Sequence, residues 1–318
     1  MPSRTLRIGT RSSALARWQA DWVATELRNR GHDVELVLIS TRGDRNQTQA
    51  IGSIGGDGLF TKELQRSLLA RDIDLAVHSL KDLPTELVVG LLLGAVPERG
   101  PTGDVLVSRT GDTFARLPPG ARIGTGSLRR RAQLLHARPD LLMKDIRGNV
   151  DTRLRKLHAG DYDALVLAEA GLRRLALENE ISEVLPQSVI LPAVGQGALG
   201  IECREDDEST RMALAALDHP ATHQSVTAER AMLMALAGGC LAPIAGWGRI
   251  VASGGLRLSG VVLSSDGRQR VLSDRETPGP QAHSQDIHLT GAEELGRQVA
   301  SDLAAQGAIE LIHAARTG

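Results

Sequence analysis

The chain has 318 residues, 42% hydrophobic and 24% charged, with 37 lysines and arginines against 38 aspartates and glutamates for a net charge of −1. That composition describes a soluble globular protein of two or three domains, and no segment approaches the ~20 apolar residues of a membrane span. Near-neutral charge, with three Trp, one Tyr and two Phe in all, gives nucleic acid neither an electrostatic footprint nor stacking platforms.

The N-terminus, Met1-Pro2-Ser3-Arg4-Thr5-Leu6-Arg7-Ile8, goes directly into a strand pattern without an apolar leader, so a cytoplasmic protein is expected. Two cysteines, Cys203 and Cys240, make no disulfide framework, in keeping with a reducing compartment. Cys203 lies in the apolar run Ala198 to Cys203 and reads as structural. Cysteine and histidine spacing shows no metal site, and dinucleotide and P-loop fingerprints are absent.

In chain order, Leu6 to Thr10 reads as a strand, followed by a helix that Ser12 or Ser13 caps and Gly31 stops. Val34 to Ile39 is a second strand. Gly43 to Gly58 is glycine-rich and without periodicity, a candidate lid. Thr61 to Arg71 is a helix, and Asp74 to His78 a strand running into Ser79-Leu80-Lys81-Asp82-Leu83-Pro84. Such alternation implies a mostly parallel sheet covered by helices.

A second unit of the same kind starts near Asp104. Its strands are Asp104 to Ser108, Arg122 to Gly124, Leu142 to Ile146 and Asp163 to Ala168, with helices from Ser127, Asn149 and Glu169. Leu191 to Cys203 reads as a connection and a strand that returns to the first unit. From about Ala221 the pattern changes. One helix precedes alternating runs at Ile244 to Ala252, Leu256 to Leu263 and Gln269 to Ser273, and a final helix covers Ala292 to Ala305. This is a small α+β domain with an antiparallel sheet.

Four constellations carry candidate chemistry. Gly9-Thr10-Arg11-Ser12-Ser13 and Gly124-Thr125-Gly126-Ser127-Leu128-Arg129-Arg130 each set hydroxyls and arginine at a helix N-terminus, where free N–H groups and the helix dipole attract an anion. Ordinary helix capping explains the serines equally well. Lysine occurs only at Lys62, Lys81, Lys144 and Lys156. Arginine therefore supplies most positive charge, much of it between Arg122 and Arg174, and its planar fork suits carboxylates. Asp82 ends a predicted strand, the edge where open α/β sheets bind ligands. It reads either as a turn residue or as a general acid/base that stabilises a cation. Finally, Ala237-Gly238-Gly239-Cys240-Leu241-Ala242-Pro243 puts a thiol on a nearly side-chain-free loop after a helix. Glycines there admit a bulky group, although a small buried thiol fits the same residues.

These segments together resemble the hydroxymethylbilane synthase (porphobilinogen deaminase) family. The matching stretches are Arg7 to Ser13, Thr41-Arg42-Gly43-Asp44, Gly58-Leu59-Phe60-Thr61-Lys62-Glu63-Leu64, Ala76 to Pro84, Ser127 to Arg130, Leu191 to Ala198, and Glu229-Arg230-Ala231 before Gly238-Gly239-Cys240. The resemblance implies an α/β protein: two similar periplasmic-binding-protein-like α/β domains around a cleft plus a small C-terminal α+β domain. The expected boundaries are 1–97 with 198–217 returning to it, 98–197, and 218–318.

By the same resemblance, Cys240 carries a dipyrromethane cofactor through a thioether, and Asp82 is the catalytic carboxylate. Ser79, Lys81, Thr125, Ser127, Arg129 and Arg130 hold the cofactor. Arg11, Ser13, Phe60, Arg147, Arg153, Arg174 and Gln196 bind porphobilinogen or the growing chain. Four porphobilinogen molecules are deaminated and condensed, and water releases the linear tetrapyrrole; Asp82 stabilises the cationic azafulvene left when ammonia departs. Each ring brings an acetate and a propionate, which is why the cleft needs arginines. A monomer with no metal, nucleic acid or membrane partner is expected. Two departures stand out. Asp57 and Ser53 replace lysines found in the glycine-rich loop of many or some family members, and Gly126 replaces a common serine. A non-catalytic anion-binding protein of the same hinged architecture is the competing reading; it leaves the Gly-Gly-Cys loop unexplained.

Overall fold

The computed structural model describes residues 4–39, 61–237, 242–279 and 289–317. Cys240, Phe60, Asp57, Ser53 and the glycine-rich stretch from Gly43 to Gly58 lie outside the described residues. The elements in chain order are β1 (Leu6–Thr10), α1 (Ala14–Asn29), β2 (Val34–Leu38), α2 (Lys62–Leu69), β3 (Leu75–Ser79), β4 (Leu91–Ala95), β5 (Asp104–Ser108), β6 (Arg122–Gly124), α3 (Leu128–Ala137), β7 (Leu142–Lys144) and α4 (Val150–His158). They continue with β8 (Ala164–Ala168), α5 (Glu169–Arg174), β9 (Glu183–Val184), β10 (Leu199–Arg204), α6 (Glu208–Ala215), α7 (Pro220–Ala235), β11 (Ile244–Ile250), β12 (Leu256–Leu263), β13 (Arg270–Glu276), α8 (Leu289–Ala305) and α9 (Ala308–Thr317). Two compact units form, one of Met1–Gly100 and Gly197–His223, the other of Pro101–Gln196 and Gln224–Gly318.

The first unit is built on a five-stranded sheet of order β2-β1-β3-β10-β4. β1 pairs in parallel with β2 and β3, whereas β10 pairs antiparallel with both β3 and β4. Four strands thus run one way, and β10 runs against them because it comes back from the far side of the second sheet's sequence. α1 and α6 bury apolar faces on the sheet through Ala20, Val23, Ala24, Leu27, Ala213 and Leu214, against Ile8, Leu75 and Ile201. α2 packs Leu64 and Leu68 with Ile73, Ala76 and Leu91. β10 is buried along its whole length, as a strand covered on both faces should be.

The second unit repeats the order. Its sheet runs β7-β6-β8-β5-β9, with β6 parallel to β7 and β8, and β5 antiparallel to β8 and β9. β5 plays here the part that β10 plays in the first sheet. The same unit carries the antiparallel sheet β11-β12-β13. One side of it buries Ile244, Leu256, Leu258 and Val262 against α7, α8 and α9. Ala245, Val261 and Leu263 pack with Ala132 of α3, and His136 Nδ1 lies 2.8 Å from the Gly267 carbonyl oxygen. The architecture is therefore, as expected, α/β, with two five-stranded mixed sheets of like order and a three-stranded antiparallel sheet covered by helices.

Local details differ from the sequence reading. The helix expected over Thr61 to Arg71 ends at Leu69, and Arg71 takes φ 62°, the left-handed conformation that closes many helices. The strand expected to reach Ile146 stops at Lys144. β4, β9 and α6 are additional elements, and α9 follows the helix that was expected to be the last. Among the described residues, no helix is long and apolar enough to cross a membrane.

Candidate active site

In the first unit, candidate residues gather at the carboxyl ends of β1 and β3. After β1 the chain turns through Arg11 and Ser12 to Ser13, the N-cap of α1, whose Oγ accepts from Ala16 N. Thr10, fully buried, donates to the Ala16 carbonyl at 3.0 Å and ties the strand end to the helix. Arg11 and Ser13 are half-buried. After β3, Leu80–Asp82 forms one 3-10 turn. Leu80 N donates to Ala198 O and Leu83 N to Leu80 O, each at 3.1 Å. The result is a short rigid turn on which Lys81 is half-buried and Asp82 exposed. Gln19 Nε2 of α1 donates to Ser79 Oγ at 2.8 Å.

In the second unit, Ser127 caps α3 and accepts from Arg130 N, while Ser127 N donates to Thr125 Oγ1 at 3.2 Å. The cap turns the first helical turn, which holds Arg129 and Arg130, toward the head of β5. There Asp104, fully buried, accepts from both. Arg129 Nη1 lies 2.7 Å from Oδ2, and Arg130 Nε and Nη2 lie 2.9 and 2.7 Å from Oδ1. Gln196 Nε2 reaches the same Oδ1 at 3.1 Å and the Thr102 carbonyl at 2.8 Å. Arg129 also donates to Leu191 O, and Arg130 to Val166 O.

Burial raises the Asp104 carboxyl, and the charges of Arg129 and Arg130 overcome this and hold it far below the ordinary range. Burial lowers Arg129, with Asp104 opposing and Arg130 adding to the effect. One carboxylate faces two guanidiniums, so the buried group carries one surplus positive charge. Arg129 Nε is buried without a hydrogen-bond partner among the described residues, which is costly unless an acceptor arrives.

Arg147 follows β7 on a loop that Gly148 turns at φ 108°, and Arg153 of α4 fastens that loop by donating from Nε to Gly148 O at 2.8 Å. Arg174 ends α5; burial lowers its guanidinium to about 10, so it remains charged at neutral pH. A Cβ at Gly126 would sit 3.0 Å from the Ile146 carbonyl oxygen, and a serine there would need that loop to give by a few tenths of an ångström.

The arginine-rich segment thereby divides. Arg122 is bound to Asp163, Arg138 to Asp140 and Arg173 to Glu169, all partly exposed surface or turn fastenings. Away from this segment, Arg7 and Arg204 similarly converge on buried Asp74. Cys203 is buried and its thiol is pushed up to about 11 by burial, a structural cysteine as expected. Two residues that sequence reasoning did not single out bond to candidate residues, each within its own unit: Asp104 to Arg129 and Arg130, and Gln19 to Ser79. An aspartate at the head of the apolar strand Asp104-Val105-Leu106-Val107 was the available signal for the first, since a carboxylate so placed must be paired. Gln19 lies mid-helix and carries no local signal.

Comparison with known proteins shows the family. Residues 6–212 match the family model of the porphobilinogen deaminase dipyrromethane cofactor binding domain, and residues 223–305 that of the porphobilinogen deaminase C-terminal domain. The porphobilinogen deaminase of Gloeobacter violaceus is 50% identical over 312 residues, covering 96% of this chain and 92% of that protein. That of Pelobacter propionicus is 48% identical over 309 residues, covering 96% of both, and that of Geobacter sulfurreducens 47% over 314 residues, covering 98% and 95%. Near-complete coverage, with Asp82, the Ser127 to Arg130 helix start and Cys240 all lying in the segments that carry the resemblance, leaves one assignment: this chain belongs to the porphobilinogen deaminase family.

Proposed function

We propose that the chain deaminates four porphobilinogen molecules, joins them head to tail on a dipyrromethane primer attached by a thioether to Cys240, and releases hydroxymethylbilane by hydrolysis, consuming one water and forming four ammonia molecules. The observation that carries this reading is the buried Arg129–Asp104–Arg130 group. Its surplus positive charge and the unpartnered Arg129 Nε suit a ligand that brings carboxylates into a dry site. The donor set therefore fits dipyrromethane, whose two rings each bear an acetate and a propionate.

When bound, that group supplies the nucleophilic pyrrole position onto which each new unit is added. Arg129 and Arg130 offer guanidinium donors to its carboxylates, with Lys81, Ser79, Thr125 and Ser127 adding hydroxyls and an ammonium. Arg11, Ser13, Phe60, Arg147, Arg153, Arg174 and Gln196 receive the carboxylates and the ring of incoming porphobilinogen. Asp82 stands at a rigid turn with its carboxylate exposed. As ammonia leaves porphobilinogen, positive charge spreads onto the pyrrole nitrogen. Asp82 offsets that charge and shuttles the proton.

The proposal includes a division into 1–97 with 198–217, 98–197 and 218–318, the last bearing Cys240, and a monomer working in the cytoplasm. Intact-protein mass spectrometry tests the function. The purified protein should exceed its chain mass by a two-pyrrole adduct that Cys240→Ala lacks, and limiting porphobilinogen should add further rings one at a time. A chain that stays unmodified and releases no ammonia after incubation with porphobilinogen refutes the reading in favour of a non-catalytic binder.

A further inference from the structure

β3 ends in two polar side chains on opposite faces of the sheet. Ser79 is held by Gln19 on the α1 face. His78, on the α2 face, is 5% exposed, and its Nε2 stands 2.9 Å from Oε2 of Glu202 on β10, close but outside hydrogen-bond geometry. Glu202 is completely buried, and Gln65 Nε2 of α2 donates to its two oxygens at 3.1 and 3.3 Å. The packing on that side is otherwise apolar, from Leu64, Leu68, Ile73 and Ala76.

A buried carboxylate–imidazole pair is a poor source of stability, because desolvation consumes most of what the attraction returns. Apolar side chains of similar size would fill the space as well. What the pair supplies is register. β10 sets Gly200 opposite His78 and Glu202 opposite Ala76, so His78 and Glu202 are diagonal neighbours on one face. Sliding β3 by one residue would carry His78 to the other face and take its imidazole away from Glu202. Beyond His78 the same two strands fix the turn: Leu80 N donates to Ala198 O, and a Cβ at Gly200 would lie 2.7 Å from Leu80 Cδ1. A side chain there would have to push the tip of Leu80 aside. The position of Asp82 along the sheet therefore follows from the register of β3 on β10.

We propose that Glu202 is a positioning residue for Asp82, acting through His78. The idea rests on Asp82 being the catalytic carboxylate, so Asp82→Ala is assayed alongside. Glu202→Gln keeps the shape and one acceptor oxygen for Gln65 Nε2 but removes the charge. It should acquire the primer normally by mass, leave KM for porphobilinogen within about twofold, and lower kcat roughly tenfold or more, in the range by which a misplaced catalytic group slows a reaction. His78→Leu with Glu202→Leu, an apolar replacement of the pair, should melt within a few degrees of the parent and still show the low kcat. Wild-type kcat in either folded variant overturns the proposal, as does a loss confined to KM. If Asp82→Ala itself turns over normally, the catalytic reading of Asp82 fails instead.

Discussion

Arg130 grips one oxygen of Asp104 with two donors, Nε at 2.9 Å and Nη2 at 2.7 Å, while Arg129 takes the other oxygen at 2.7 Å. The fork fixes both guanidinium planes before any ligand arrives. Preorganisation of this kind lowers the entropic cost of binding, and the single carboxylate leaves the pair one charge short of neutral.

Removing that carboxylate should be severe. Asp104→Ala leaves two buried guanidiniums with backbone carbonyls as acceptors, and breaking such a buried pair costs about 3–5 kcal/mol. The urea midpoint should fall accordingly. Asp104→Asn, which keeps the volume, should be folded more often but acquire the two-pyrrole adduct more slowly from porphobilinogen, as followed by mass. Adduct formation at the parental rate in folded Asp104→Asn would remove Asp104 from primer binding.

Arg129→Lys tests the fork itself. Lysine keeps the charge and loses the planar array of donors. Conversion of primer-free protein to the adduct-bearing form should slow by at least about tenfold, the worth of one charge-assisted hydrogen bond of roughly 1.5–3 kcal/mol. Parental kinetics of adduct formation would show that charge alone suffices.

Asp82→Ala should keep the fold, because the side chain is exposed on a turn held by backbone hydrogen bonds from Leu80 and Leu83. Porphobilinogen consumption should drop by about 10²–10⁴-fold, the usual contribution of a general acid or base. Circular dichroism checks the fold and ammonia release the rate.

Acid stability has an identifiable contributor in Asp207. Its carboxylate caps α6, accepting from Thr210 N at 3.2 Å and Ser209 Oγ at 2.9 Å, and pairs with Arg204 at 2.6 Å. Burial raises it, but the Ser209, Thr210 and Arg204 bonds bring it down from 3.8 to about 2. A depressed carboxyl contributes its full stability above the unfolded value and loses it as pH falls through the folded one. Asp207→Asn should thus melt lower than the parent at pH 7, by about 2–4 °C per kcal/mol lost. The gap should close between pH 4 and 2. A gap that persists unchanged at pH 2 would show that the charge of Asp207 is not responsible.

Much of the fold was legible locally. Period and punctuation placed β1, α1, β5, β6 and β12, and Ser13 and Ser127 cap the helices that follow them, because a cap is a bond between residues three apart. β4 escaped because Leu91 to Ala95 is a short apolar run without alternation. α6 escaped because its buried residues are few, with Thr210, Ala213 and Leu214 carrying the inner face.

The site divides along the same line. Contiguous runs in the sequence were enough for the family, the turn bearing Asp82 and the arginine-bearing helix start, since each is written in neighbouring residues. Which arginines are fastenings and which form a charged cradle was decided only in three dimensions. Arg129 and Arg130 meet Asp104 from 25 and 26 positions away, and Gln65 meets Glu202 from 137. A carboxylate's partner is chosen by strand order and register, and those follow from the packing of the entire sheet rather than from any segment of it.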